Sequence, residues 1–264
     1  MFRAGNDPSD APVVWDADRL RSPHGQADKA IRVRHMFDAI APTYERVNRL
    51  ASVGRDAYWR REMVRLAEVR PEDIMLDVAC GTGDVVRAFA GAPIRPARIL
   101  GLDFAPLMLG QAVGRPVLGG SFACGDALRL PVADSAVSLV TCAFGIRNFE
   151  NLGTGLNEMH RVLMPGGRVV IIEFSIPTRR WLRSVYLLYF NRVMPTFARL
   201  VSRDRSGAYR YLPRSVLSFS GSEAIRSALA SAGFSEVAVC PRTCGIVTVY
   251  VARKASRERV GRNP

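Results

Sequence analysis

A doubly wound, mostly parallel seven-stranded α/β sheet is the fold class this chain predicts, with N-terminal helices before it and one inserted amphipathic helix. Three observations carry that expectation. Short continuous apolar runs alternate with helical patterns between Asp73 and Phe174, as expected for parallel strands buried on both faces and joined by helical crossovers. The first run, residues 74–79, ends at a glycine turn, Cys80-Gly81-Thr82-Gly83-Asp84, that opens into a helix. The second, residues 99–103, ends in an acid, Asp103, about 20 residues beyond that turn, the spacing with which such sheets grip a ribose.

The elements follow in order. Residues 31–48 and 55–69 read as helices ahead of the sheet. Strands are expected over 74–79, 99–103, 120–124, 136–143 and 167–174, with helices over 84–90, 106–113 and 152–163 between them. Met164-Pro165-Gly166-Gly167 stops the last of these helices and turns the chain into its strand, as proline and glycine do past a helix end. Residues 181–201 form the inserted helix, apolar with interspersed arginines, which reads either as a cap on a substrate pocket or as an ordinary core-facing helix. A helix over 223–232 and strands over 235–241 and 245–252 finish the sheet, and Gly245 permits a reversal that makes the last two strands antiparallel. One domain is expected over 30–254. Residues 1–29 are polar, carry Pro8, Pro12 and Pro23 and lack the apolar centre of a signal peptide. They read as a disordered leader, and residues 255–264 as a basic tail.

Composition narrows the function. An apolar fraction of 48% in 264 residues is ample for a core. No run approaches the roughly 18 apolar residues of a membrane-spanning helix. Five cysteines, an odd number, suit reduced thiols rather than a disulfide framework. Cys240 and Cys244 have no histidine near them in sequence, so no metal site is expected. The net charge of +13 favours anionic partners, nucleic acid or an anionic membrane face. The arginines are spread along the whole chain, which equally suits a general preference for arginine.

The glycine turn narrows the cofactor. Val86 stands where a dinucleotide fingerprint has its third glycine, and Asp84 puts a negative charge where a diphosphate would lie. A cationic sulfonium tolerates such carboxylates, so S-adenosylmethionine is the preferred reading and NAD the alternative. Asp103 would accept from both ribose hydroxyls. Gly81 and Gly83 would let the backbone approach, with Thr82 as a polar wall. Asp126 suits the adenine amino group, Ala127 offers its amide, and Asp77 and Asp84 lie toward the aminopropyl end.

Larger blocks of sequence resemble a known family. Met36-Phe37-Asp38-Ala39-Ile40-Ala41-Pro42-Thr43-Tyr44-Glu45-Arg46-Val47-Asn48 is similar to the opening of the ubiquinone/menaquinone biosynthesis C-methyltransferases. So are Tyr58-Trp59-Arg60-Arg61, Phe144-Gly145-Ile146-Arg147-Asn148, Arg161-Val162-Leu163-Met164-Pro165-Gly166-Gly167-Arg168, and Tyr209-Arg210-Tyr211-Leu212-Pro213-Arg214-Ser215. The resemblance implies a class I, Rossmann-like methyltransferase that moves a methyl group from S-adenosylmethionine to a ring carbon of a polyprenylated hydroquinone. The substrate it implies is demethylmenaquinol, or in the ubiquinone branch a methoxy-polyprenyl-benzoquinol. It places cofactor contacts on Thr82, Asp103, Asp126 and Ala127. Two departures stand out: Ala143 where some members have a serine, and Ser220 in place of the usual proline after Phe219.

The chemistry assigns further roles. A quinol carbon is nucleophilic only when a neighbouring hydroxyl gives up its proton, and a phenol titrates near 10. Arg147 can stabilise the phenolate and hold a water that takes the proton, while Asn148 orients that water or the quinol oxygen. The alternative is that Arg147 pairs with Glu173 and pins the loop. Tyr44 and Asn48 could cover the cofactor and Tyr211 wall the ring, or the tyrosines simply pack. The 181–201 helix would line the exit of the prenyl tail, its arginines touching anionic headgroups. A cytoplasmic enzyme visiting the inner face of the membrane is expected, and the resemblance implies a homodimer. A nucleic-acid methyltransferase would want a catalytic cysteine or an Asn-Pro-Pro-Tyr-like motif; Cys142 reads as a strand interior residue, and no such motif follows it. A non-catalytic scaffold would tolerate loss of the glycine turn or Asp103, and neither is lost.

Overall fold

The structure, a computed structural model, describes residues 14–16, 18–193 and 207–256. Three helices come first: α1 (Lys29–Ile40), α2 (Tyr44–Ala51) and α3 (Arg55–Leu66). The sheet then alternates with helices as β1 (Ile74–Val78), α4 (Asp84–Ala90), β2 (Arg98–Asp103), α5 (Pro106–Val113), β3 (Gly120–Cys124), β4 (Val137–Ala143), α6 (Leu152–Val162) and β5 (Leu163–Phe174). After β5 come α7 (Arg180–Leu188), α8 (Ala208–Ser218), α9 (Ser222–Ser231), β6 (Phe234–Arg242) and β7 (Val247–Lys254). The 7-stranded sheet runs in the order β3-β2-β1-β4-β5-β7-β6. Its neighbours are parallel except β7, which is antiparallel to both β5 and β6. The expected fold class and the reversal near Gly245 are what the chain adopts.

The two-residue period of a strand sorts the core into two layers. Leu76, Val140 and Ile171 face α6 and α9, together with Leu156, Met159 and Leu229. Their chain neighbours Met75, Leu139 and Val170 face the opposite way, onto Trp59, Met63 and Phe89 of α3 and α4. At the amino end of the sheet a buried ion pair, Arg168 Nη2 to Asp73 at 2.5 Å, ties β5 to the turn before β1. The same arginine donates to the Glu68 carbonyl, and Ser138 Oγ donates to Asp73.

Three sequence expectations are corrected. The single helix over 31–48 is two helices, α1 and α2, separated by a turn at Ala41–Thr43. Pro42 has no N–H to give, and the turn closes instead through Thr43 N–H to the Ile40 carbonyl at 2.9 Å. The inserted helix is α7 followed by a π-helical turn, Tyr189–Val193, and residues 194–201 lie outside the described residues. The disorder expected of the leader is corrected over residues 14–16 and 18–29, which pack against the domain. Trp15 is fully buried, its ring 4.4 Å from that of Tyr211, and Leu20 is buried beside α1 and α8. Burying an indole and a leucine removes enough apolar surface from water to offset the ordering of a short polar segment. Residues 1–13 of the expected leader and 257–264 of the expected tail lie outside the described residues. Among the described residues, no helix is long and apolar enough to cross a membrane.

Candidate active site

In a doubly wound sheet, ligands lie beyond the carboxyl ends of the strands, where the strand order reverses. Here that rim is made by the ends of β1, β2 and β4. Two cavities meet at it. The smaller, of about 90 Å³, is lined by Asp103, Phe104, Met108, Asp126, Ala127 and Asn148 among others. The larger, of about 490 Å³, reaches from Thr82 past Arg147 to α7 and α8, and most of its wall is apolar. Tyr44, Ala79, Gly81, Ala143 and Phe144 line both. Two of these junction residues hold left-handed backbone without being glycine: Ala79 with φ of 57° and Phe144 with φ of 56°. Such strain persists only where the surroundings over-determine it, as at binding sites.

The glycine turn is fastened to β2. Asp103 accepts from the Gly81 N–H at 2.7 Å with one oxygen and from the Ala105 N–H at 2.9 Å with the other. Burial pushes its carboxyl up to about 6, against the pull of these backbone donors. Gly83 has φ of 83°, and a Cβ there would lie 3.0 Å from the Phe122 ring. Its glycine therefore serves the turn and the packing beneath it. Asp126 fixes its own loop by accepting from the Leu128 N–H at 2.9 Å.

Not every candidate stands in the cavity walls. Gly81, Thr82, Asp103, Asp126, Ala127, Tyr44, Tyr211, Arg147 and Asn148 do; Asp77 and Gly83 stand behind them. Asp77 is fully buried and accepts from Thr141 Oγ1 at 2.6 Å, while among the described residues its Oδ2 has no partner. Burial pushes this carboxyl up to about 7, with the Thr141 hydrogen bond opposing and the charge of Asp103 adding to the rise. A carboxyl whose pKa is higher folded than unfolded contributes stability in full below about pH 4 and loses it as pH rises through about 7. Asp77→Asn is therefore expected to gain in melting temperature over the wild type on going from pH 5.5 to 8.5, by several degrees. Thermal unfolding of both proteins across that range checks this, and a constant difference would contradict it.

The segment after β4 carries the densest polar contacts. Gly145 lets it press onto the sheet, since a Cβ there would lie 2.7 Å from Cys142 Sγ and 2.8 Å from Ala79 Cβ. Arg147 is buried and Nη1 donates to Glu173 Oε1 at 2.8 Å and to the Phe144 carbonyl at 2.5 Å. Its guanidinium lies 5.4 Å from the Phe174 ring centre, and among the described residues its buried Nε has no partner. The pairing with Glu173, set out above as the alternative to a chemical role, is thus present, yet it leaves one edge of the guanidinium unused. Asn148 accepts from the Tyr211 hydroxyl at 3.1 Å. Burial raises the phenols of Tyr44 and Tyr211, and it raises the thiols of Cys80 and Cys142, so neither cysteine is a nucleophile at neutral pH.

Three participants escaped the sequence reading. Glu45 on α2 accepts from Arg87 at 3.1 Å and Arg115 at 2.5 Å. These partners, with Thr82, outweigh its burial and hold its carboxyl below the usual range. Asp38 on α1 accepts from the Leu107 N–H at 2.9 Å. Together they tie the α1–α2 pair over the rim. Lys29 lies under the 147–149 backbone. Glu45 and Asp38 fall inside the Met36–Asn48 block, but nothing local marks their role, because their partners are 42 to 70 residues away.

The ubiE/COQ5 methyltransferase family model matches residues 25–254. A relative from Geobacter sulfurreducens, described as a ubiquinone/menaquinone biosynthesis C-methyltransferase UbiE, is 41% identical over 244 residues, 90% of this chain and 94% of that one. A demethylmenaquinone methyltransferase of Deinococcus radiodurans is 42% identical over 239 residues, 89% of this chain and 98% of its own. Among solved structures, a SAM-dependent methyltransferase from Thermotoga maritima aligns with a TM-score of 0.57 at 18% identity, over 83% of this chain and 98% of that one, a likeness of fold alone.

Proposed function

The chain belongs to the ubiE/COQ5 methyltransferase family, and from that premise we infer that it methylates a ring carbon of a polyprenylated hydroquinone, demethylmenaquinol, in respiratory quinone biosynthesis. The observation that carries this is the meeting of the two cavities. The larger, apolar one suits a prenylated ring and has Arg147 in its wall; the smaller has the acid pair Asp103 and Asp126 that an adenosine needs.

The residues fit S-adenosylmethionine, whose sulfonium supplies an electrophilic methyl group. Each Asp103 oxygen keeps a lone pair beyond its backbone bond, enough for two ribose hydroxyls. Asp126 keeps Oδ2 for the adenine amino group, and Ala127 offers a small wall. Ala143 presents only a methyl where a serine would hydrogen-bond. On the substrate side, Arg147 stands in the wall of the larger cavity, where its fixed positive charge stabilises a phenolate oxygen. Stabilising that oxygen draws the phenol's pKa down, so that a water held beside Asn148 can take the proton. Tyr44 and Tyr211 hold the ring in a dry pocket, where proximity supplies much of the rate.

The substrate's tail points to a membrane. On α7, Trp181, Val185 and Leu188 are 65%, 57% and 60% exposed, with exposed Arg180 and Arg183 beside them, and Val185 also lines the larger cavity. This face sits at an anionic surface, apolar side chains in the headgroup layer and guanidinium groups on phosphates. Wild-type protein is expected to float with phosphatidylglycerol vesicles, and the Trp181→Glu, Leu188→Glu double variant to remain in the pellet fraction with its activity on a short-chain quinol intact. Equal flotation of both would contradict this docking face.

The decisive test is mass spectrometry of the quinone pool in a host lacking its own enzyme and expressing this chain. Methylated menaquinone is expected; an unchanged demethyl pool overturns the reading. Assays on benzoquinol and tRNA, and light scattering for the homodimer, complete the comparison with the alternatives.

A further inference from the structure

We propose that Lys29 is a positioning residue of this active site: its buried ammonium holds the backbone of the turn that carries Arg147 and Asn148. The proposal rests on the quinol reading above, because it assigns Lys29 an effect through Arg147.

The geometry is specific. Lys29 is 2% exposed, although it opens α1 in a chain whose other basic residues are largely at the surface. Its Nζ donates to the Arg147 carbonyl at 3.1 Å and to the Phe149 carbonyl at 2.5 Å, 118 and 120 residues further along. A third contact, 3.2 Å, is to His24 Nδ1, and His24 Nε2 lies 3.0 Å from the Ser215 carbonyl on α8. A neutral histidine protonated at Nε2 satisfies both ends, and burial favours that neutral form. Three ammonium donors thus meet three acceptors.

The carbonyls of Arg147 and Phe149 sit at the end of the short Ile146–Asn148 turn, where no helix continues to take them up. Without the ammonium they are buried acceptors lacking a donor. The choice of residue points the same way. Of 37 basic residues only Lys29 and Lys254 are lysine. Lys254 does a similar thing elsewhere, donating to the carbonyls of His160 at 2.8 Å and Leu163 at 2.7 Å at the end of α6. A compact tetrahedral ammonium offers three donors from one nitrogen, which suits acceptors that converge on a single buried point. From the same N-terminal segment, Trp15 stacks on Tyr211, whose hydroxyl donates to Asn148. Lys29 and Trp15 therefore brace both proposed catalytic residues, Arg147 through its backbone and Asn148 through its amide by way of Tyr211.

The test uses the full chain and Lys29→Met, which keeps the length and loses the donors. Expected are a fall in kcat of at least 30-fold, a dissociation constant for S-adenosylmethionine within twofold of wild type, and a smaller change in KM than in kcat. Bound 1-naphthol, whose ionisation is read by absorbance, should show a higher pKa on the variant than on the wild type, as Arg147 drifts from its place. A purely structural lysine lowers the melting temperature and leaves the kcat of the folded protein and the naphthol pKa unmoved; that result overturns the proposal. If Lys29→Met does not fold, Lys29→Gln decides, with its amide donors expected to restore part of kcat and wild-type kcat overturning the proposal. An inactive wild type defeats the quinol reading instead, and is told apart by that control alone.

Discussion

Replacing Asp103 by asparagine is expected to weaken S-adenosylmethionine binding about 100-fold, roughly 2.7 kcal/mol. Each carboxylate oxygen already accepts one backbone N–H, from Gly81 and from Ala105. An amide keeps one acceptor and turns an N–H₂ toward the other donor, so the glycine turn loosens at one end. The two hydrogen bonds to the ribose lose their charge as well, and charged bonds contribute about 1.5–3 kcal/mol each. The pH dependence is a separate signature. With the carboxyl pushed up to about 6, the accepting, ionised form is lost as pH falls through 6. Wild-type affinity should therefore drop between pH 8 and 5, and that of Asp103→Asn should change less. Calorimetric titrations at both pH values measure this; a dissociation constant within threefold of wild type at pH 8 would remove Asp103 from the cofactor site.

Arg147 carries the second large expectation. Removing a preorganised donor to a developing oxyanion costs a factor of about 10²–10³ in kcat, and Arg147→Met is expected to fall in that range with cofactor affinity unchanged. The single variant strands Glu173, which is fully buried and loses its cation, and breaking such a pair costs about 3–5 kcal/mol of stability. The Arg147→Met, Glu173→Gln double variant removes that complication. If it folds with a melting temperature near wild type and its kcat remains down by the same factor, the guanidinium acts on the substrate. A double variant that regains kcat to within tenfold of wild type makes Arg147 a pin for the loop and nothing more. Arg147→Lys should also be slow, since one ammonium nitrogen has neither the reach nor the planar spread of the guanidinium that pairs with Glu173 and the Phe144 carbonyl.

What the sequence made legible was local chemistry. The run from Ile74 into Gly81-Thr82-Gly83 reads directly, because continuous apolar strands and positive-φ glycines are constraints on neighbours in the chain. Asp103 reads by its spacing from that turn. The break at Pro42 could have been read in the same way: a proline between two helical patterns is a signal, here overridden by the length of the periodic stretch. Trp15 and Lys29 were not legible, since their meaning lies in partners more than a hundred residues further along the chain: Tyr211 for one, the Arg147 and Phe149 carbonyls for the other. A polar, proline-bearing segment with one buried indole has the composition of a tail. The helix Ala208–Ser218 was hidden similarly by Pro213 within it. The pairing of Arg147 with Glu173 depends on the sheet, which sets β4 beside β5 and so brings residues 26 apart in sequence together.

The bracing of the rim by Trp15 and Lys29 bears on how the protein comes apart. The sheet is one cooperative block, while the N-terminal segment is held by a few contacts to residues more than a hundred positions later. Elements of that kind open at lower free energy than the core. Under mild warming or dilute urea the enzyme should thus fall silent while its strands still resist hydrogen exchange, so that inactivation marks a partial opening and precedes melting.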